Sequence, residues 1–294
     1  MSMAPIKLLL QTTIPATSDD WSIERFSLLA CLFDQDRDAE GARTFEVLAR
    51  NRDPLGAPDP ILSALDAREF DQVWLMGVDV GNGLTEEDCA GISRFRSRGG
   101  GLLVARDHMD LGSSLCNLAG VGKAHYFHSR NRDPDPRSHQ PDDCYSKHIS
   151  WPNFHSGANG DFQEIEVVGA VHPVLRRHNS EGGPIRFLPS HPHEGAVVAP
   201  DDEDARVIAA GKSRVTGRRF NIAVAFERSS RGGRAIAQST FHHFADYNWD
   251  PRVSCPSFVD EPAGDGMLVN PDAIDDIRTY VRNVGLWLSG RLPG

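Results

Sequence analysis

Cysteine is scarce in this chain, and none of it has the sequence context of a catalytic thiol. Five of the 294 residues are cysteines, an odd number, and no two of them form a Cys-x-x-Cys pair. Cys116 and Cys144 also have no Gly-x-Cys-x-Gly surroundings. This pattern favours a reducing compartment and buried thiols over a disulfide framework or a cysteine nucleophile.

Long hydrophobic runs and concentrated positive charge are missing as well. No segment reaches the roughly 18 apolar residues that cross a bilayer, and the first ten residues hold too short an apolar run for a signal peptide. The net charge of −10 argues against nucleic acid, which requires clustered lysine and arginine. We therefore expect a cytoplasmic protein with neither a membrane nor a nucleic-acid partner.

Nucleotide-binding motifs are also lacking. No Gly-x-Gly-x-x-Gly follows the first predicted strand, and no phosphate-loop lysine is present. The sequence therefore gives no support for nucleotide binding.

The first 110 residues alternate between short apolar runs and amphipathic segments. This order predicts a doubly wound, mainly parallel sheet with helices on both faces. Thr85, followed by acidic residues, is typical of a helix start. The strands are predicted at residues 6–10, 44–48, 73–78 and 102–105, and the helices at 21–32, 61–65 and 85–98.

The second half begins with a long polar stretch at about 126–160, which predicts a functional loop or a poorly ordered one. Five apolar runs follow, and the last two resemble an antiparallel hairpin. Asn270 and Pro271 predict the start of a terminal helix that ends at Leu288. The five runs, predicted as strands that extend the sheet, are residues 165–168, 185–188, 207–210, 220–226 and 235–240.

Several stretches of the chain resemble the ThuA-like branch of the class I glutamine amidotransferase-like superfamily. The likeness implies one flavodoxin-like domain over residues 1–294, with extra antiparallel strands in its C-terminal half and a polar insertion at about 126–160. It also implies a site at the carboxyl ends of the strands, with a carbohydrate derivative as the leading substrate class. The stretches are residues 70–78 leading into 84–87, 95–103, 171–174, 232–235 with 239–243, and 284–288.

The chain departs from this superfamily at the turn that follows the glycine-rich strand 101–105. Amidotransferases have a cysteine there and ThuA-like proteins usually a histidine, whereas this chain has Arg106-Asp107-His108. A carboxylate beside an imidazole suits acid–base catalysis, and an arginine suits an anionic substrate group. The alternative is a structural role for both residues, in which Asp107 caps the next helix and Arg106 pairs with an acid at the sheet edge.

A second group of candidates follows the last predicted strand. Aromatic residues mixed with His, Asp and Asn at 241–250 suit a pocket for a sugar ring, although they also suit a packed surface loop. We assign His243 to catalysis together with Asp107 and His108. The predicted substrate-binding residues are Arg106, Gln11, Asp79, His242, Asp246 and Asn248.

His191-Pro192-His193-Glu194 is the densest set of metal-ligand side chains in the sequence. Residues two apart on an extended segment point to the same side, so His191 and His193, with Glu194, form an alternative zinc or iron site. Nothing in one sequence shows three ligands converging, and oriented carboxylates nearby are few. We therefore expect no tightly bound metal and no other cofactor.

Three functional hypotheses remain open at this point. The first is a ThuA-like protein that binds or acts on a small polar molecule, without a cysteine nucleophile. The second is a metal-dependent hydrolase that uses His191, His193 and a third ligand, either Glu194 or one of His108, His242 and His243. The third is a non-catalytic binding module. Whether the protein is an enzyme, and whether it forms a homo-oligomer, stays open.

Overall fold

The computed structural model describes residues 4–65, 69–143, 145–177 and 182–292. Its main feature is an eight-stranded sheet in the order β2-β1-β3-β4-β12-β11-β10-β7. Two further two-stranded sheets pair β5 with β9 and β6 with β8. The strands are β1 (Ile6–Thr12), β2 (Phe45–Arg50), β3 (Gln72–Met76), β4 (Gly101–Ala105), β5 (His125–Tyr126), β6 (Phe162–Glu164), β7 (Glu166–Val167), β8 (Phe187–Pro189), β9 (Ala196–Val197), β10 (Ala205–Lys212), β11 (Arg219–Phe226) and β12 (Ala235–Gln238).

The sheet has a parallel half and an antiparallel half. β2, β1, β3, β4 and β12 run parallel to one another, and from β12 onward β11, β10 and β7 continue the sheet in antiparallel pairs. Every residue of β3 and β4 is buried, as expected for strands covered on both faces. β1, β3 and β4 are adjacent. The predicted parallel sheet and the predicted β11–β12 hairpin are confirmed.

Five α-helices accompany the sheet in the part of the chain that the structure describes. Side chains on α1 and α5 pack on one face, together with Trp74 and Leu103, whereas α2 packs on the other face with Val73 and Leu102. The predicted helices on both faces are therefore confirmed. The helices are α1 (Ser27–Gln35), α2 (Glu86–Ser97), α3 (Asp246–Trp249), α4 (Gly266–Val269) and α5 (Pro271–Leu288).

The helix ends follow from local hydrogen bonds. Thr85 and Asp88 form a capping box at the start of α2, in which each side chain accepts from the other residue's backbone N–H. Asn270 accepts from the N–H of Asp272 at the start of α5, and Pro271 occupies the first turn. Both helix starts were therefore identified correctly from short polar motifs.

Two predicted helices differ from the structure. Residues 61–65 form only turns, because the carboxylate of Asp59 accepts from the N–H groups of Ile61 and Leu62 and so stabilises a short turn. The helix predicted at 21–32 begins as a 3-10 turn at Ile23–Phe26, and α1 then runs from Ser27 to Gln35.

The predicted strands of the second half differ in extent. The run at 165–168 forms only the short strand β7, and the run at 185–188 shifts to β8, which pairs with β6 outside the main sheet. Among the described residues, no helix is long and apolar enough to cross a membrane.

The polar segment at 126–160 is packed onto the body of the protein where the structure describes it. Trp151, Asn153 and Phe154 are buried, and Phe154 exchanges backbone hydrogen bonds with Glu194. The N–H of Met109 donates to the carbonyl of Pro152 at 3.0 Å, so the segment lies against the residues that follow β4. Cys144 falls outside the described residues.

Candidate functional site

Three loops meet at the carboxyl ends of β4 and β12 and enclose a cavity of about 340 Å³. Asp107 and His108 follow β4, and His242 follows β12, two strands that are hydrogen-bonded neighbours. His191 and His193 follow β8, the strand outside the main sheet. Loops after the parallel strands β4 and β12 meet at one edge of the sheet, and the loop after β8 packs beside them. Together the three loops bring four histidines and Asp107 into a single cavity.

Asp107 lies at the centre of the cluster. Its Oδ2 is 3.0 Å from Nδ1 of His108 and 3.6 Å from Nε2 of His242, and its Oδ1 is 3.3 Å from Nε2 of His191. The rings of His191 and His242 stack with centroids 3.5 Å apart. Thr240 also donates its hydroxyl hydrogen to Oδ1 of Asp107 at 3.3 Å.

The protonation of this cluster is set by burial and by the neighbouring charges. Burial opposes the ionisation of Asp107, but His108, His191 and His242 outweigh it and hold the pKa of this carboxyl well below its usual range. Burial, reinforced by His242, lowers the pKa of His191 far below the usual histidine value. At neutral pH the cavity therefore contains a carboxylate beside a neutral His191.

The buried amides of Asn159 and Asn248 fix the position of the ring protons. The Nδ2 of Asn248 donates to the carbonyl oxygen of Ser190 and to Oδ1 of Asn159, both at 2.9 Å. Oδ1 of Asn248 therefore faces Nδ1 of His242 at 3.1 Å, and Oδ1 of Asn159 faces Nδ1 of His191 at 2.9 Å. Both amide oxygens are acceptors, so both Nδ1 atoms carry the proton.

The opposite side of the cluster is more acidic. Nε2 of His193 lies 3.1 Å from Oδ2 of Asp143 and 3.8 Å from Oε1 of Glu261. Burial, with a contribution from His108, lowers the pKa of His193 to about 4. Burial raises the pKa of Glu261. His193 is therefore neutral at physiological pH despite its acidic neighbours.

The cavity walls combine apolar side chains with carboxylates. Trp21 and Phe241 form part of the apolar wall, and Asp20 and Glu261 supply further acids. Among the described residues that line the cavity there is neither lysine nor arginine. Pockets of this kind bind the apolar face of a ligand and orient its polar groups by hydrogen bonds.

Two groups of side chains have the chemistry to hold a metal ion. Asp107, His191 and His242 form one, and His108, His191 and His193 form the other, with ligand atoms within 4.8 Å of one another in each. Glu194, the third member of the set predicted from sequence, lies elsewhere. Its Oε2 accepts from Ser239 at 2.7 Å, and its other oxygen accepts from Gln163.

Arg106, predicted to bind an anionic substrate group, is fully buried and does not line the cavity. Its guanidinium donates to the backbone carbonyls of Tyr126 and Met109 and lies 4.1 Å from the ring centroid of Phe127. These contacts give Arg106 a structural role in holding the loop after β4.

His243 also lies outside the cavity, although His242 beside it lines the wall. The two residues belong to a 3-10 turn at Phe241–Phe244, and consecutive residues of such a turn project in different directions. Nε2 of His243 is 3.4 Å from Oε2 of Glu194, and Gln238 donates to its Nδ1 at 2.7 Å. His243 therefore belongs to a buried polar network.

The other predicted substrate-binding residues make structural contacts. The Nε2 of Gln11 donates to Asp59 at 3.1 Å, and Asp79 accepts from the hydroxyl of Ser114 at 2.8 Å. Asp246 accepts from Ser27 and Leu28 at the start of α1. None of these three carboxylate or amide groups lines the cavity, and Asn248 acts on it through His242.

Sequence reasoning missed Asn159, Asp143, Trp21 and Glu261. The first two belong to the polar segment 126–160, which the sequence predicts as a functional or poorly ordered loop without indicating a residue of the cavity wall. Trp21 was assigned to the apolar side of a helix, and Glu261 lies in a stretch without periodicity. No local pattern marks these four residues, because their positions depend on how distant loops pack.

Comparison with known proteins shows the fold. No family profile and no curated protein sequence matches the chain. The structure is similar to a protein from Parabacteroides merdae described as ThuA-like, with a TM-score of 0.52, 14% identity, and coverage of 99% of this chain and 92% of that one.

Two further solved structures have slightly lower scores. A ThuA-like protein from Bacteroides uniformis has a TM-score of 0.48 and 12% identity, and it covers 98% of this chain and 93% of its own. The Trypanosoma brucei CTPS glutaminase domain has a TM-score of 0.49 and 14% identity, with coverage of 98% and 95%. The likeness to the Parabacteroides merdae protein, together with the order of the sheet, shows the flavodoxin-like fold that the sequence motifs predict.

Proposed function

We propose that this protein is an enzyme that binds a small neutral molecule in the histidine-lined cavity, and that Asp107 and His108 catalyse a proton transfer on it. The observation that carries the proposal is the 3.0 Å contact between Oδ2 of Asp107 and Nδ1 of His108. His108 is also the most exposed member of the cluster, with 19% of its side chain accessible, against 2% for Asp107.

The pair has the arrangement of a general base and its orienting carboxylate. The 3.0 Å contact is not aligned as a hydrogen bond in this ring orientation. A rotation of the His108 ring that directs its Nδ1 proton to Asp107 leaves its other nitrogen free to accept a proton from substrate or water. The carboxylate then stabilises the imidazolium that forms. Because the pKa of Asp107 is held low by its neighbours after burial is overcome, this carboxylate stays ionised throughout such a cycle.

The charge of the cavity selects against anionic ligands. Asp107, Asp20 and Glu261 line it, and no lysine or arginine does so among the described residues. In the metal-free cavity a phosphate or carboxylate group would meet uncompensated negative charge, which costs binding free energy. Trp21 and Phe241 offer aromatic faces for the C–H face of a sugar ring, so a neutral carbohydrate derivative is the leading substrate class.

A matched ligand panel tests the proposal. Neutral mono- and disaccharides and their phosphorylated or carboxylated counterparts would be compared by calorimetry and thermal shift. We expect binding only among the neutral members. His108→Ala should abolish turnover of a bound substrate while changing its affinity little, because the base acts in the transition state.

The control is His128→Ala, which removes an exposed histidine that does not line the cavity. It should leave both affinity and turnover unchanged. Preferential binding of phosphorylated sugars, or turnover that survives the loss of His108, would contradict the proposal.

A further inference from the structure

We infer that Asp107, His191 and His242 form a binding site for a divalent transition-metal ion of the zinc or iron(II) class. The inference rests on the proposed function, because the same cavity is involved, and it adds a cofactor to that site. Two imidazole nitrogens and one carboxylate are a ligand set that suits both ions and leaves positions open for water or substrate.

The first argument is the position of the ring protons. Asn248 is oriented by the Ser190 carbonyl, and through Asn159 it places the proton of both histidines on Nδ1. Both Nε2 atoms therefore present a lone pair, and both face the carboxylate of Asp107. Lone pairs that face each other repel, whereas a cation between them is bound by all three groups.

The second argument is the burial of an unpaired acceptor. His191 is buried, and its Nε2 makes no hydrogen bond within the described part of the chain. A buried polar atom without a partner is costly in a folded protein and calls for an explanation. A metal ion bound at Nε2 supplies the missing interaction.

The third argument is the spacing of the ligand atoms. The two Nε2 atoms lie 3.3 and 3.6 Å from the oxygens of Asp107. Ligands bound at about 2.0–2.2 Å in a tetrahedral site are separated by about 3.3–3.6 Å. Each separation falls in this range, one to Oδ1 and the other to Oδ2, and all three ligand atoms lie within 4.8 Å of one another. The stacked rings of His191 and His242 must tilt apart for both lone pairs to reach one ion.

The surrounding hydrogen bonds match those of known metal centres. Metal-binding histidines almost always donate their second ring N–H to a carboxylate, carbonyl or other acceptor, which fixes the ring. Here the amide oxygens of Asn159 and Asn248 fill that role. Asn159 lies 32 residues from His191, and Asn248 lies 6 residues from His242. The sequence argument against a metal counted only nearby carboxylates and so did not consider these two amides.

The ligand set differs from the one considered from sequence. Glu194 is bound by Gln163 and Ser239, and Nε2 of His193 faces Asp143 instead of the carboxylate of Asp107. The other oxygen of Asp107, Oδ2, is 3.0 Å from His108. An ion bound through Oδ1 leaves the Asp107–His108 contact intact, and it requires Nε2 of His242, which lies 3.6 Å from Oδ2, to turn towards Oδ1.

The test is direct metal binding by the full chain. Protein purified without nickel affinity or chelator steps would be analysed for metal content, and apoprotein would be titrated with Zn²⁺ and with Co²⁺. We expect near-stoichiometric binding, and Co²⁺ absorption bands in the visible range typical of nitrogen and oxygen ligands. Absence of stoichiometric binding of either ion by folded wild-type protein would overturn the inference without recourse to any variant.

Variants identify the ligands. His191→Ala and His242→Ala should each weaken Zn²⁺ binding by more than about 100-fold, and Asn248→Ala, which removes only the orienting amide, by about 10–100-fold. His128→Ala, an exposed histidine outside the cavity, should bind as wild type. Circular dichroism verifies folding, and His242→Asn is the milder variant if alanine unfolds the protein.

Other outcomes are distinguishable. Loss of metal in His108→Ala and His193→Ala, but not in His242→Ala, would overturn the assignment in favour of the other histidine group. Metal binding with no sugar binding would uphold the inference and contradict the proposed function. Sugar turnover that depends on His108, in a protein that binds neither Zn²⁺ nor Co²⁺, would uphold the proposed function and contradict the metal inference.

Discussion

At the residue scale, the burial of His125 makes the free energy of unfolding depend on pH. It is fully buried, and neither ring nitrogen has a hydrogen-bond partner within the described residues. Burial, with the nearby charge of Arg106, lowers its pKa to about 3. Below about pH 6.5 the His125 ring binds a proton in the unfolded chain but not in the native state. The free energy of unfolding therefore falls by about 1.4 kcal/mol per pH unit as the pH drops from about 6.5 towards 3.

His125→Leu should therefore flatten this acid dependence. Urea denaturation at pH 7.5 and pH 5 would measure the free energy of unfolding of both proteins. We expect wild type to lose about 2 kcal/mol more than the variant over this interval. His148→Leu, a change at an exposed histidine, is the control and should retain the wild-type slope. Equal slopes in His125→Leu and wild type would show that His125 is not the source.

Arg106 gives a second residue-scale prediction. Because its guanidinium donates to two backbone carbonyls, Arg106→Lys leaves at least one of them without its donor and should destabilise the fold by about 1–3 kcal/mol. Affinity for a neutral ligand should not change. Denaturation and calorimetry on the same samples separate the two effects. A large loss of affinity with unchanged stability would restore the substrate-binding role predicted from sequence.

At the element scale, α1 depends on a cap from a distant part of the chain. Asp246 accepts from the N–H of Ser27 at 3.0 Å, from its hydroxyl at 2.5 Å and from the N–H of Leu28 at 2.8 Å. Asp246→Ala should destabilise the protein by about 1–2 kcal/mol, as loss of a helix cap does. Asp34→Ala, an exposed site in α1, should change stability by less than about 0.5 kcal/mol. Ligand affinity should be unaffected in both.

The strands and helix caps show why sequence patterns located some of the candidate residues and missed others. Asp107, His108 and His242 directly follow strands of the parallel half, so topology alone indicates their edge of the sheet. Topology does not say which side of a turn a residue faces, and this is why His243 and Asp246 were assigned to a wall that they do not line. Caps at Thr85 and Asn270 are local and were identified, whereas the cap of α1 is not local.

At the scale of the whole molecule, the proposed metal site links three loops that are far apart along the chain, those after β4, β8 and β12. An ion that binds only the folded protein stabilises it by about 2.7 kcal/mol at a concentration 100 times its dissociation constant. We expect Zn²⁺ to raise the thermal midpoint of wild type by several degrees. His242→Asn should show no such shift, and an equal rise in both would place the ion elsewhere.

The parallel half of the sheet was predictable as a whole because its apolar runs are continuous and alternate with capped helices. The polar segment 126–160 was not, because it has no periodicity, and its buried residues Trp151 and Phe154 pack against loops far along the chain. The cavity wall it supplies through Ile149 and Asn159 is therefore a property of tertiary packing. Only a structure shows that this segment reaches the histidines.

The order of the three loops along the chain has a consequence for biosynthesis. Asp107 is translated long before His242, and the amide that orients both imidazoles, Asn248, comes later still. A nascent chain that has folded β1, β3 and β4 lacks a coordination sphere, so it cannot trap an ion prematurely. The proposed site becomes complete only after β12 has paired with β4, which makes ion binding a late step in the folding of the chain.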